Sequence, residues 1–263
     1  MRLSKSMARA YGLLITITVI LAYMVFAGNR DPVGPEKLNV VDSQRMDSWG
    51  GAPIDAEAGN VTELFLNATS ITQHWAGFYG NVSGIITLDD LSNSTMYDWL
   101  VAEPGGAVYA TPRNPPVWTA IDCLNKTSIF NETELEHNLS MEKNDEDGVN
   151  ETFCPGCNAG SKDDATTHPG FFVGTKQFLP GDCWALNTYV NNSRQTGDFI
   201  EVLLQDQRDA VYMTIIEDDS PNSKGKKFGF DGRLHDFQML VGENGNGTRV
   251  WTTTTYYFYV ELE

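Results

Sequence analysis

Four cysteines, at positions 123, 154, 157 and 183, are the residues of this sequence whose chemistry depends most on spacing. Cys154-Pro-Gly-Cys157 has the two-residue spacing of thiol oxidoreductases, which place the first thiol at a helix N-terminus within a βαβ unit. No helical periodicity surrounds this pair, and no second Cys or His pair at ligand spacing accompanies it as a zinc site requires. A structural disulfide is therefore favoured over redox catalysis and over zinc.

An even number of cysteines indicates two disulfides in an oxidising compartment, with three possible connectivities. Cys123 follows the strand-like segment 117–122, and Cys183 precedes the strand-like segment 185–190. A bridge between these two would close a loop of roughly 60 residues between two strands. Cys154 would then pair with Cys157 at a tight turn.

A dense group of aromatic side chains suggests a platform on which sugar rings stack: Trp75, Phe78, Tyr79, Tyr97 and Trp99. Gly77 and Gly80 lie among them and indicate tight packing, which favours core and edge aromatics of a sheet instead.

The acidic run Asp145-Glu-Asp-Gly148 resembles part of a calcium loop, but an EF-hand alignment places Lys143 at the first ligand position. An irregular calcium site that uses Asp145, Asp147 or the Glu217-Asp218-Asp219 turn stays open beside the reading as a solvated charge run. Motifs of nucleophilic serine, zinc-protease and nucleotide-binding sites are absent from the sequence, and its four histidines are scattered. We therefore predict no catalytic residues and no cofactor.

The chain has 263 residues and a formal net charge of −17, with 41% hydrophobic residues. That apolar content is sufficient for a buried core. The acidic surface repels phosphate backbones, so nucleic-acid binding is disfavoured.

Residues 11–27 form an apolar stretch without charge, preceded by Arg2, Lys5 and Arg9. The positive-inside rule keeps the basic end in the cytoplasm and exports everything after residue 28. The length fits both a retained membrane anchor and a cleaved signal peptide, with Val25-Phe26-Ala27 as a tolerable cleavage site. Prepilin-type processing after Ala10 is a third alternative.

Asn-x-Ser/Thr sequons are frequent, at ten positions where chance placement gives about three, and they support export with N-glycans on exposed loops. They occur at Asn60, Asn67, Asn81, Asn93, Asn125, Asn131, Asn138, Asn150, Asn191 and Asn246.

Strand-like segments separated by Gly, Asn and Asp turns predict an all-β fold, an antiparallel β-sandwich of immunoglobulin-like or jelly-roll-like type, preceded by one N-terminal hydrophobic helix. The candidate strands are 61–66, 84–88, 107–111, 117–122, 170–178, 185–190, 199–204, 210–216, 237–241 and 250–262. The last two are expected to form a long hairpin, with Phe258, Val260 and Leu262 facing inward. A weak helical pattern covers 93–102.

This pattern divides the chain into a membrane or signal segment at 1–28, a Pro- and Gly-containing stalk at 29–57 and a β domain at 58–263. Within the domain, residues 124–169 read as a loop-rich, glycosylated insertion.

Several motifs resemble a family of exported archaeal cell-surface proteins for which no activity is known. They include Trp75-Ala-Gly-Phe-Tyr-Gly-Asn-Val-Ser-Gly84, Asp236-Phe-Gln-Met-Leu-Val241 and Thr254-Thr-Tyr-Tyr-Phe-Tyr-Val-Glu-Leu262. The resemblance spans about residues 58 to 262 and implies a cell-surface β protein. It also implies that Cys123 and Cys183 belong to the shared frame, whereas Cys154 and Cys157 are a local addition.

The sequence thus predicts a non-enzymatic, glycosylated protein of the cell envelope, either tethered to the membrane through residues 11–27 or released after cleavage. It would act as an adhesin or as a pilin-like filament subunit that assembles with itself or with other envelope proteins, through an exposed strand at 58–66. The alternative function is a secreted carbohydrate-binding module or glycan-acting protein that uses the aromatics from Trp75 to Trp99.

Overall fold

The computed structural model of the protein describes residues 31–46, 51, 53–55, 57–101, 105–124, 139, 141, 145–153, 168–217, 227–243 and 254–262. The apolar stretch at 11–27 and the Cys154/Cys157 pair lie outside these residues. None of the helices within them is long and apolar enough to cross a membrane.

The prediction of an all-β fold is confirmed, because strands dominate the described residues and every strand pairing among them is antiparallel. The strands are β1 (Trp75–Gly80), β2 (Gly84–Asp89), β3 (Thr95–Val101), β4 (Gly106–Thr111), β5 (Asp122–Cys123), β6 (Phe171–Val173), β7 (Lys176–Phe178), β8 (Ala185–Asn187), β9 (Ile200–Gln205), β10 (Ala210–Ile215), β11 (Phe237–Gly242) and β12 (Tyr257–Leu262). Within the described residues, one short α-helix, α1, covers Val149–Phe153, and a 3₁₀ helix covers Trp118–Ala120.

A six-stranded central sheet forms the body of the domain. Its strand order is β12-β4-β10-β9-β5, and β8 pairs with β9 along the same edge as β5. Gly106 starts β4 with a φ of +121°, and the carbonyl oxygen of Glu261 lies only 2.0 Å from the position that a Cβ would occupy there. Glycine therefore permits the close approach of β12 to β4.

Both faces of this central sheet are buried. Leu203 of β9 and Tyr212 of β10 pack under a two-stranded ribbon formed by β1 and β11, together with α1. Val202 and Val211, on the opposite face, pack under the β6–β7 hairpin. Burial on both faces explains the nearly unbroken apolar runs of β9 and β10, since neither strand has a face turned to water.

The predicted disulfide between Cys123 and Cys183 is present, with a Cα–Cα distance of 5.0 Å. It connects β5 to the segment that enters β8, so it ties together the two short strands that share the edge of β9. Both cysteines are buried, and the backbone N–H of Cys183 donates to Nε2 of the buried His168 at 2.9 Å.

The predicted hairpin between the last two strands is wrong. β11 pairs with β1, whereas β12 pairs with β4 at an edge of the central sheet. The two strands belong to different layers because Met239 and Val241 of β11 are needed to cover the face that carries Leu203 and Tyr212. The face assignment of the last strand also changes, since Tyr259, expected to face outward, is among the core residues.

Three local predictions of secondary structure are wrong. Residues 61–66 form no strand, and most of their side chains are exposed. The weak helical pattern at 93–102 belongs to β3, which the pairing with β2 holds in the extended conformation. The candidate strand 117–122 is instead a 3₁₀ helix over Trp118–Ala120, and only Asp122 of it pairs with β9, as part of β5.

Part of the predicted stalk contacts the domain. The N–H of Val33 donates to the carbonyl oxygen of Val260 at 2.9 Å, and the N–H of Val260 donates back at 2.8 Å. Residues that precede the β domain in sequence therefore lie at the outer edge of β12.

Candidate functional site

A groove of about 770 Å³ lies between the β1–β11 ribbon and the segment that begins with β8. Its walls combine aromatic rings with amide, hydroxyl and charged side chains. The aromatic residues are Phe78, Tyr79, Tyr189 and Phe230, and the polar residues are Gln44, Glu151, Thr152, Asn187, Thr188, Arg194, Gln195, Thr196 and Gln238. This mixture is typical of pockets that bind small polar ligands.

Strand β1 places Phe78 and Tyr79 at the groove. The Tyr79 ring packs edge-on against Phe230 at 5.1 Å and also contacts the ring of His235 at 4.7 Å. Phe78 packs edge-on against Phe258 of β12 at 5.1 Å. Phe78 and Tyr79 both line the groove and keep more than a third of their surface exposed, and each ring is fixed by a neighbour.

The buried amide of Gln238 holds the two sides of the groove together. Its Oε1 accepts from the N–H of Phe230 at 2.7 Å. Its Nε2 donates to Oγ1 of Thr188 at 2.7 Å and to the carbonyl oxygen of Tyr189 at 3.1 Å. One side chain of β11 thereby positions both aromatic residues that β1 does not supply.

A second amide, Gln195, shapes the loop that forms the far wall. Its Nε2 donates to the carbonyl oxygens of Thr188 and Asp198, both at 2.7 Å, and its Oε1 accepts from the N–H of Asp198 at 3.0 Å. These bonds close the loop between β8 and β9. The wall is therefore built before a ligand arrives.

The side-chain oxygen of Asn187 is an unpaired hydrogen-bond acceptor within the described residues. Nδ2 of the same amide donates to the carbonyl oxygen of Asp198 at 2.9 Å, while the buried Oδ1 has no hydrogen-bond partner within the described parts of the chain. An unpaired buried acceptor costs free energy, because the oxygen has lost its hydration.

Charge at the groove comes from Arg194 and Glu151 in its walls, whereas Glu201 lies behind its floor. The carboxyl of Glu201 is completely buried, and its Oε2 accepts from the N–H of Leu240, a lining residue, at 2.7 Å. Burial raises the pKa of Glu201 well above its ordinary value, because the charged form loses its hydration. Glu201 thus links the floor strand β11 to the central sheet without reaching the groove.

The aromatic group predicted from the sequence separates into three places. Trp75 belongs to the core, where its Nε1 donates to the carbonyl oxygen of Asp147 at 2.6 Å and its ring contacts Phe153 at 5.8 Å. Phe78 and Tyr79 line the groove. Tyr97 and Trp99 lie on the separate β2–β3 hairpin, so the five residues form no single platform.

Tyr189 and Phe230 are the aromatic groove residues that sequence reasoning missed. Tyr189 follows β8 immediately, and Phe230 lies in the turn region Gly229-Phe230-Asp231-Gly232. The sequence signal for Phe230 is a large aromatic residue within a turn that contains glycine and aspartate. Such a ring keeps one position only when another residue contacts it.

The proposed calcium ligands are engaged with other protein groups. Oδ2 of Asp147 accepts from the hydroxyl of Thr72 at 2.6 Å, and Nε2 of His74 lies 3.6 Å from a carboxylate oxygen of Asp145. A carboxylate oxygen of Glu217 accepts from the N–H of Phe199, whereas Asp218 and Asp219 lie outside the described residues. No cluster of three or more acidic, His or Cys side chains suited to a metal ion occurs in the part of the chain that the structure describes.

Five sequon asparagines fall where their exposure can be stated, and all five are exposed: Asn60, Asn67, Asn81, Asn93 and Asn191. Asn150 lies in α1, and the remaining four, at 125, 131, 138 and 246, lie outside the described residues. Glycosylation at these positions stays a prediction.

Comparison of the chain with models of protein families, with curated proteins and with solved structures finds no match. The geometry of the groove is therefore the main basis for a functional assignment.

Proposed function

We propose that this protein is a non-enzymatic, adhesin-type protein of the cell envelope whose β domain binds carbohydrate in the groove. The observation that carries the proposal is the combination of partly exposed aromatic rings with fixed amide side chains around one concave surface. Aromatic faces pack against the C–H faces of sugar rings, while amide and guanidinium groups pair with hydroxyls.

Within this proposal the domain is a β-sandwich. The β1–β11 ribbon over one face of the central sheet and the long crossings between layers support that architecture, with immunoglobulin-like and jelly-roll-like topologies as the alternatives. The exposed sequons and the disulfide support an extracellular location. Residues 11–27 would tether the chain to the membrane, or would be removed to release it.

The test is binding of the full chain, in mild detergent, to an array of diverse glycans. For a glycan that binds, we expect Tyr79→Ala to raise the Kd roughly tenfold or more, because it removes one stacking face. Tyr97→Ala is the matched control, since Tyr97 is also an exposed tyrosine on a strand but lies outside the groove. Trp75→Ala would be a poor test, because Trp75 is a core residue.

Two outcomes would contradict carbohydrate binding at the groove. The first is a wild-type chain that retains no glycan from the array. The second is a bound glycan whose affinity falls equally in Tyr79→Ala and Tyr97→Ala.

A second candidate function, a subunit of a surface filament, is favoured by residues 61–66. Phe65 is 94% exposed and Leu66 is 83% exposed, although both are large apolar residues. This segment pairs with no strand among the described residues, so it is free to add to the sheet of a neighbouring copy.

A further inference from the structure

The β2–β3 hairpin carries an apolar face that no other described strand covers. The register pairs Ile86 with Trp99 and Leu88 with Tyr97, and these pairs are two residues apart on each strand, so all four side chains share one face. Each of them is between 41% and 60% exposed. Tyr97 and Trp99 contact each other at 5.0 Å, which makes the face continuous.

The opposite face of this hairpin is mixed, since it carries the exposed Ile85 beside Thr87 and Asp98, whereas the turn is polar and acidic. Thr87 pairs with Asp98, and Oγ1 of Thr87 donates to a carboxylate oxygen of Asp89 at 2.8 Å. At the turn, the N–H groups of Ser92 and Ser94 both donate to Oδ1 of Asp90 at 2.8 Å. The hairpin is therefore a ribbon with a well-formed acidic turn, one wholly apolar face and one mixed face.

An isolated two-stranded ribbon is only marginally stable in water, and an exposed apolar patch of this kind usually marks an interaction surface. In this ribbon the apolar residues include both a tyrosine and a tryptophan. These two residue types are enriched at the headgroup level of membranes, where an apolar ring with a polar tip is well accommodated.

The base of the ribbon lies close to the path of the chain from the expected membrane anchor. Leu262 of β12 packs on Gly84 at the start of β2, so closely that its Cδ1 is 2.2 Å from where a Cβ of Gly84 would be. Two residues earlier, Val260 pairs with Val33. Only four residues lie between Gly28 and Val33, so the ribbon starts within roughly 35 Å of the end of the apolar stretch.

We propose that the face formed by Ile86, Leu88, Tyr97 and Trp99 rests on the outer surface of the membrane in which residues 11–27 are anchored. This inference rests on the proposed anchoring and not on the groove. The carboxylates of Asp89, Asp90 and Asp98 on the ribbon favour neutral, zwitterionic headgroups over anionic ones. The sequons at Asn81 and Asn93 lie before the ribbon and at its turn, outside the strand residues that form the face.

The test uses the full chain in phosphatidylcholine vesicles whose acyl chains carry bromine, which quenches nearby tryptophan fluorescence. We expect the quenched emission to fall by about half in Trp99→Phe, because this ring would supply the main lipid contact. Trp118→Phe is the control and should leave the quenched emission unchanged, since Trp118 packs between Tyr109 and Tyr259 inside the domain. Leu88→Asp should reduce the quenching of Trp99 in a chain that retains every tryptophan.

Flotation of the vesicles distinguishes anchoring by residues 11–27 from contact of the ribbon with the membrane. A chain that floats with the vesicles but loses equal quenching in Trp99→Phe and Trp118→Phe overturns the ribbon contact and leaves the anchor intact. A chain that does not float contradicts both. If no lipid quenching occurs and the chain forms a dimer that Leu88→Asp dissociates, the proposal is overturned. The apolar face then contacts a second copy of this ribbon and not the membrane.

Discussion

Glu201 is a carboxyl group with no exposed surface, placed on β9 where it faces Thr214 of β10 and Leu186 of β8. Because burial raises its pKa in the folded state, folding favours the protonated form. Its stabilising contribution is complete below the unfolded pKa and is lost as the pH rises through the folded pKa. Neutral pH therefore works against the folded state at this position.

Glu201→Gln keeps an acceptor for the N–H of Leu240 and removes the ionisation. We expect the variant to have a higher Tm than the wild type at pH 7 and to lose a pH dependence of up to about 1.4 kcal/mol per pH unit. Calorimetry between pH 4 and 8 measures this, with the exposed Glu63→Gln as the control. An unchanged pH slope in Glu201→Gln would show that the Glu201 carboxyl is not the source.

At the scale of elements, the Cys123–Cys183 disulfide fixes two short strands to the edge of β9. The bridge spans 60 residues, and in the chain-entropy model its removal costs about 4 kcal/mol of unfolding free energy. We expect the double variant Cys123→Ser/Cys183→Ser to unfold at a correspondingly lower denaturant concentration. Cys154→Ser/Cys157→Ser is the control, because a bridge over two intervening residues constrains little chain. Equal losses of stability in the two double variants would contradict the assignment of this stability to the Cys123–Cys183 bridge.

The sequence predicted these elements better than their partners. Strands β2, β4 and β8 to β11 follow local apolar patterns, and the segments predicted for them agree with their bounds to within a few residues. The hairpin of β11 with β12 was wrong because neighbours in sequence usually pair, whereas here the two strands serve different layers.

Only part of the groove could be predicted, because strands that are distant in the sequence bring its residues together. Phe78 and Tyr79 belong to a local aromatic cluster in the sequence, but Phe230 reaches Tyr79 only because β11 pairs with β1. The hydrogen bonds of Gln238 across the groove have no local sequence signal at all.

For the whole molecule, the filament hypothesis makes its own prediction. If residues 61–66 add to a neighbouring sheet, Phe65→Asp should abolish polymers in extracts of the native cell surface, because a charge is not tolerated in a buried strand contact. Val41→Asp is the control, since Val41 is equally exposed but lies outside the segment. Size analysis in mild detergent measures the result, and a wild-type chain that is strictly monomeric would exclude a filament.

The pairing of β12 with β4 also governs when the domain can form. Tyr109 of β4 donates to Glu261 of β12 across a separation of 152 residues, and the other carboxylate oxygen of Glu261 accepts from the N–H of Gly174. At ordinary rates of synthesis, β12 emerges on the order of 10 s after β4. Until then β4 lacks one neighbour and the core lacks Tyr259. A chain exported during synthesis would thus cross the membrane while still unfolded, and would close its sheet only on the far side.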